Sequence, residues 1–240
     1  MQQETTEHAP RAASRVVWAW DVPTRLFHWT LALLILMAWV SRNWGDEGLV
    51  WHTWNGYAIL ILVVWRVLWG FVGTSTARFT SFVAWPWTAA RYGIDFVLRR
   101  PRHFLGHNPL GGAVVIVMLG MVGAMGVLGL FSYDDHTSIA GGPLSGKVSD
   151  EAWALATKWH IWLFDILLWV IGLHIGANIA YRVWKGENLV AAMITGRKEA
   201  RSYEDEPEAR LASPLLALAC LVVAAGVVLG GIVAAGGKIL

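Results

Sequence analysis

Two stretches of this chain, Leu110 to Phe131 and Pro214 to Gly237, contain no charged residue. Each is close to the ~20 residues an α-helix needs to cross the hydrocarbon layer of a bilayer. Three further windows, Leu26 to Val40, Trp51 to Phe71 and Ile161 to Tyr181, are nearly as apolar. Inside lipid no water satisfies a backbone N–H or C=O, so only helices and closed barrels can span. These runs are too long and too continuously apolar for the alternating strands of a barrel. The expected fold is therefore all-α, with five transmembrane helices. A chain of 240 residues that is 56% hydrophobic and 15% charged is no ordinary soluble domain, and nothing in it reads as a nucleic-acid surface.

Orientation follows from charge. Arg11, Arg15 and Arg25 precede the first span. Arg78, Arg91, Arg99, Arg100 and Arg102 follow the second, and Arg182, Lys185, Arg197, Lys198, Arg201 and Arg210 follow the fourth. The opposite side holds only Arg42, Lys147, Lys158 and Lys238. Basic loops stay in the cytoplasm, so a multi-pass inner-membrane protein with a cytoplasmic N-terminus and a periplasmic C-terminus is expected. Met1 to Ser14 is polar and lacks the apolar core of a cleavable signal.

The expected organisation is a cytoplasmic tail at 1–15, a four-helix core at 16–198, a polar linker at 199–213 and a fifth helix at 214–240. Helix one is expected to start near Pro23, a first-turn residue. Trp87, Tyr92, Phe96 and Val97 interleave with Arg91 and Arg99, which suggests a short amphipathic helix in the interface. The external loops are acidic: Asp46 and Glu47 in one, Asp134 and Asp135 in the longer, before Asp150 and Glu151. They suit a basic docking partner. Helix five has no histidine, and its Gly226 and Gly230 form a GxxxG pair that permits close helix approach, to the core or to another subunit.

An ionisable side chain at membrane depth is costly and usually marks a working site. Four histidines, His28, His52, His160 and His174, lie within or at the ends of the apolar windows. On one helix, His160 and His174 are separated by ~21 Å of rise and only ~40° of rotation. One face thus presents two imidazoles at two depths. Chain direction puts His28 level with His174 and His52 level with His160. Two imidazoles facing one another across a bundle are the ligand set of a low-spin b-type haem, so two non-covalent haem b groups are expected. A shared zinc ion fits poorly, because the two histidines of helix four are too far apart. Covalent haem is excluded: the single cysteine, Cys220, sits in the last span as a packing residue, and no CxxCH exists.

The sequence also resembles the bacterial cytochrome b561 and nickel-iron hydrogenase b-type cytochrome family. The motifs that carry the resemblance begin with Trp20-Asp21-Val22-Pro23-Thr24-Arg25-Leu26-Phe27-His28-Trp29 and Trp51-His52-Thr53-Trp54-Asn55-Gly56-Tyr57. Arg66-Val67-Leu68-Trp69-Gly70-Phe71-Val72-Gly73 and Gly106-His107-Asn108-Pro109-Leu110-Gly111 follow, then the His160 to His174 pair and Met193-Ile194-Thr195-Gly196-Arg197-Lys198. The resemblance runs from Val16 to Lys198 and leaves helix five outside. It implies a four-helix di-haem electron carrier working between a quinone pool, ubiquinone or menaquinone, and a periplasmic c-type cytochrome, hydrogenase or dehydrogenase. Asn108 is then a candidate quinone contact, with a helix N-cap as the plainer role. Arg25, one turn before His28, is a candidate partner for a haem propionate or a positive-inside anchor. A stand-alone superoxide:quinone oxidoreductase of the same fold is the main alternative, and a non-redox membrane anchor a weaker one. A homodimer is a further candidate assembly.

Four other features bear on the site. Gly120, Gly123, Gly126 and Gly129 form a stripe that admits either a macrocycle face or a neighbouring helix. Arg66, near the cytoplasmic end of helix two, is expected to snorkel to the surface, with a haem propionate as its other candidate partner. Asn178, one turn beyond His174, suits an interhelical hydrogen bond or support of that ligand. Asp165 is rotated by ~140° and ~180° from the two histidines of its helix, and so points away from both.

Overall fold

The computed structural model describes residues 15–98, 100, 102–133 and 141–240. His8, Arg11, Arg99, Asp134, Asp135 and His136 lie outside the described residues. Eight α-helices and two short strands are described: β1 (Val16–Trp18), α1 (Val22–Ser41), α2 (Gly45–Val72), α3 (Phe79–Phe82), α4 (Pro86–Val97), α5 (Pro109–Phe131), α6 (Asp150–Lys185), α7 (Leu189–Thr195), β2 (Arg197–Glu199) and α8 (Pro214–Ala234). Five of them, α1, α2, α5, α6 and α8, are long and apolar enough to cross a membrane. The protein is an all-α, multi-pass membrane bundle.

The helix starts follow local chemistry. Asp21 Oδ1 accepts from Thr24 N at 2.6 Å, and Asn108 Oδ1 accepts from Gly111 N at 2.8 Å. Each caps a helix with proline in its first turn, where no N–H partner is needed. Two helices run past their apolar windows. α2 begins at Gly45, so Asp46 and Glu47 stand in its first turn rather than in a loop, where they complement the helix dipole. α6 begins at Asp150, capped by Ser149, and its 36 residues extend ~54 Å, so it outreaches the hydrocarbon layer.

α2 is the central post: α1, α5 and α8 pack along it, and α5 carries α6. The α5 stripe serves partly this packing, since a Cβ at Gly126 would stand 2.6 Å from Leu60 and one at Gly123 3.3 Å from Val63. α8 seats its small residues Ala217, Cys220 and Ala224 against Trp65 and Trp69, and Trp65 Nε1 donates to Ala217 O at 2.9 Å. The GxxxG pair of α8 takes no part, for a Cβ at Gly226 or Gly230 would meet nothing within 4 Å.

The connections with most of the basic residues gather at one end of the bundle, called the basic end below. There β1 pairs antiparallel with β2. Gly196, at φ +81°, turns the chain beneath them, and a Cβ on it would strike Trp20 O at 2.6 Å. The polar segment before α8 is strapped across the same end. Asp205 receives Leu105 N and Gly106 N at 2.7 and 2.8 Å, Ala209 N donates to Trp18 O at 2.9 Å, and Arg102 bridges Glu204 at 2.6 Å. α4 buries Tyr92 against the bundle and leaves Trp87, Ile94 and Val97 exposed on its other side.

Candidate haem sites

His28 on α1 and His174 on α6 face one another near the basic end, with ring centres 6.3 Å apart. His52 on α2 and His160 on α6 do so near the far end, at 5.9 Å. Two imidazoles that each hold one metal ion at about 2 Å through a ring nitrogen have centres roughly 6 Å apart, so both pairs have the spacing at which they would hold one metal ion between them. Among the described residues no group of three or more His, Cys, Asp or Glu is placed to hold a metal ion. Isolated imidazole pairs suit a metal that brings its own four equatorial ligands.

The far-end pair is oriented by the backbone. His52 Nδ1 lies 2.8 Å from Ala38 O, and His160 Nδ1 lies 2.8 Å from Met125 O. A carbonyl only accepts, so each Nδ1 carries the proton and each Nε2 lone pair is left for a metal. A narrow cleft opens beside the two rings, with Ile35, Ile59 and Phe164 among its walls. Gly56, one turn from His52, lines it, and a Cβ there would meet nothing within 4 Å. Gly129 leaves room for His160, whose Cε1 would be 3.1 Å from a Cβ at that position. Arg42 is among the walls of the cleft.

The basic-end pair lacks such carbonyl partners. His28 Nδ1 is buried without a hydrogen bond. Beside His174, Asn178 Nδ2 donates to the His174 carbonyl at 2.8 Å and lies 3.4 Å from His174 Nε2. Arg25 is one turn from His28, where its Nη1 donates to Ile194 O at 2.5 Å and its Nε to Asp21 O at 3.3 Å. Arg66 does not snorkel. It is 3% exposed, because residues 74–82 fold back over the end of α2 and close its way out. Its Nη2 donates to Ala77 O at 3.0 Å, its guanidinium stands over Phe79 and Phe82, and its Nη1 has no partner.

His107 stands at the start of α5, next to Asn108. It is wedged between Trp20 and Phe82, each ring centre 4.7 Å away, and its Nδ1 is buried without a partner. Burial, reinforced by the charges of Arg66 and Lys198, pushes its pKa down to about 3 and keeps it neutral. Asn108 caps α5 through Oδ1 and donates from Nδ2 to Tyr181 OH at 2.7 Å. Tyr181 shares a hydrogen bond with Tyr92 at 2.5 Å, and Lys185 Nζ donates to Tyr92 OH at 3.1 Å.

Between the two pairs lies an apolar layer. Ile59, Val122, Met125, Phe164 and Leu167 form one buried cluster, joined by Leu31, Leu34 and Ile35 of α1. A membrane bundle with paired imidazoles at two depths and an apolar wall between them has the architecture of a membrane-bound b-type cytochrome.

Comparison with known proteins gives the particular family. The model of the prokaryotic cytochrome b561 family matches residues 19–196, and the chain belongs to that family. It is thus a membrane cytochrome of the b type, whose haem serves transmembrane electron transfer. A probable Ni/Fe-hydrogenase B-type cytochrome subunit of Rhizobium leguminosarum bv. viciae is 23% identical over 235 residues, covering 82% of this chain and 95% of the relative. Its counterpart in Azotobacter vinelandii is 25% identical over 228 residues, covering 80% and 91%. The probable Ni/Fe-hydrogenase 1 B-type cytochrome subunit of Escherichia coli K12 is 21% identical over 210 residues, covering 75% and 89%. No solved structure matches the chain.

Proposed function

We propose that this chain carries electrons across the cytoplasmic membrane through two b-type haems, between a quinone at the basic end and a periplasmic redox partner at the far end. The observation that carries this reading is the pair of opposed imidazole pairs, 6.3 and 5.9 Å between ring centres, on the inner faces of three spanning helices. His28 and His174 hold one haem and His52 and His160 the other. Haem bound at such a pair supplies reversible one-electron chemistry with no open coordination site for substrate. The protein residues do the rest. Ala38 O and Met125 O fix the tautomer at the far end, and the apolar layer around Leu167 excludes water between the sites.

By the positive-inside rule the basic end is cytoplasmic, the N-terminus is cytoplasmic and the C-terminus periplasmic. Arg25 has five N–H groups and uses two of them on carbonyls, which leaves donors for a haem propionate. Asn108 retains one amide N–H for a carbonyl of ubiquinone or menaquinone, beside the unpartnered His107 Nδ1. The relatives are named as subunits of Ni/Fe-hydrogenase, which makes a hydrogenase one candidate partner at the far end and a c-type cytochrome or other dehydrogenase another. Asp150 and Glu151 are exposed at that end and suit a basic docking surface.

The Arg42 side chain in the far-end cleft favours a second reading, a superoxide:quinone oxidoreductase, because a cation at a haem edge attracts a small anion. Two measurements separate the readings. In proteoliposomes, ubiquinol or menaquinol is expected to reduce the b-haem band, and Asn108→Leu to slow that reduction about tenfold, a loss of the size a removed polar contact gives. A haem band indifferent to both quinols contradicts the first reading. Rapid mixing of the oxidised protein with superoxide leaves the band unchanged if the second reading is wrong.

A further inference from the structure

Asp165 lies on α6 between the levels of His160 and His174, about 7.5 Å along the axis from the first and 13.5 Å from the second, inside the membrane layer. It is exposed on the outer surface of the bundle. A carboxyl group at this depth is expensive to leave in lipid, and such groups normally face another protein element. Among the described residues neither Asp165 nor the indole N–H groups of Trp162 and Trp169, one turn to either side, has a hydrogen-bond partner.

The residues around Asp165 form a seam. Trp162, Asp165, Trp169, Gly172, Gly176 and Ile179 succeed one another at alternating steps of three and four residues. That spacing keeps them on one narrow stripe, the spacing of helices packed side by side. All six are exposed, Trp169 at 79%. A Cβ at Gly172 or Gly176 would meet nothing within 4 Å, so this GxxxG pair is unused within the chain. α6 packs along α5 and meets α1 and α2 only through its inner face. The histidines point the other way, so a helix seated on this stripe does not disturb them.

We propose that the outer stripe of α6 is a two-fold interface between two copies of this chain. The stripe complements itself. When two copies of α6 run parallel about an axis along the membrane normal, each Asp165 lies one turn, about 4.5–6 Å along the axis, from Trp162 and Trp169 of the other copy. The span of an indole covers that step, so its N–H donates to the carboxyl group that the single chain leaves without a partner. Gly172 and Gly176 lie below, at equal depth in both copies, where the absence of side chains lets the backbones close together. Every donor, acceptor and gap that the seam needs is supplied by the chain itself. The inference is independent of the electron-transfer reading.

The test uses the full-length, haem-loaded protein in its native membrane. In a Cys220→Ala background, Trp162→Cys and Ile179→Cys are introduced singly, with Leu173→Cys on the neighbouring face of α6 and Val223→Cys on exposed α8 as references. Disulfides form only when Cα atoms approach within about 7 Å, so copper-phenanthroline oxidation reports proximity. A covalent homodimer is expected for Trp162→Cys and Ile179→Cys, at least fivefold above the two references. Asp165→Leu added to Ile179→Cys is expected to lower that yield severalfold while the b-type spectrum persists. The proposal is overturned if Ile179→Cys gives no homodimer, if Val223→Cys gives as much, or if the cross-link joins a polypeptide of different mass. A dimer yield unchanged by Asp165→Leu overturns the role given to the carboxyl group.

Discussion

The two imidazole pairs share a helix and a spacing, yet they are held differently. At the far end both Nδ1 atoms face backbone carbonyls at 2.8 Å. At the basic end His28 Nδ1 has no partner. A hydrogen bond to Nδ1 makes an imidazole a stronger donor to the higher oxidation state of a metal. One bundle thus supports the same ligand type in two unequal ways.

The strongest way to break this comparison is to remove one ligand at a time. His52→Ala is expected to abolish the far-end haem and His174→Ala the basic-end haem, each leaving about half of the b-type absorbance and one of two titrating species. If either variant lost both haems while the chain still folded, the sites would not be independent.

A smaller intrusion separates the ends by shape. A Cβ at Gly129 stands 3.1 Å from His160 Cε1, so Gly129→Val is expected to displace that ring and weaken the far-end haem alone. Loss of about 10- to 100-fold in haem retention is the scale for a disturbed ligand support. Gly120→Ala, where the same atom meets nothing within 4 Å, serves as the reference and should leave both bands intact.

Protonation sharpens the contrast. His107 titrates near 6.5 when unfolded and is held to about 3 in the fold, so between those values the unfolded chain binds the extra proton. The stability it contributes is therefore complete above about pH 6.5 and declines as pH falls, by up to ~1.4 kcal/mol per unit. His107→Gln should flatten the acid limb of a haem-release curve between about pH 6 and 4. An unaltered limb would show that the fold tolerates a charged His107.

Redox titration reads the inequality itself. The far-end couple is expected to be the more negative, and a tenfold difference in preference for the oxidised form corresponds to ~59 mV for a one-electron couple. Asn178→Leu should move only the basic-end couple. The smallest effect belongs to the exposed Arg102–Glu204 pair: Arg102→Ala should change stability by less than about 1 kcal/mol and leave both potentials alone.

The sequence told most where periodicity and depth suffice. Apolar length marks all five spans. Direction of travel puts His28 level with His174 and His52 level with His160, and the rings do face one another in those combinations. Charged residues at helix starts were harder to place: Asp46, Glu47 and Asp150 look like loop residues by hydropathy, yet they extend α2 and α6 because the dipole welcomes them. Snorkelling of Arg66 needs an open path to water, and that path is shut by a segment whose fold over α2 has no periodic signal. The burial of His107 depends on Trp20 and Phe82, both distant in sequence. Nothing local announces it.

The account rests on one stoichiometry. Pyridine haemochromogen absorbance, set against quantitative amino-acid analysis of the purified, haem-sufficient protein, should give two haem b per chain. A ratio of one or none would contradict the assignment of both histidine pairs.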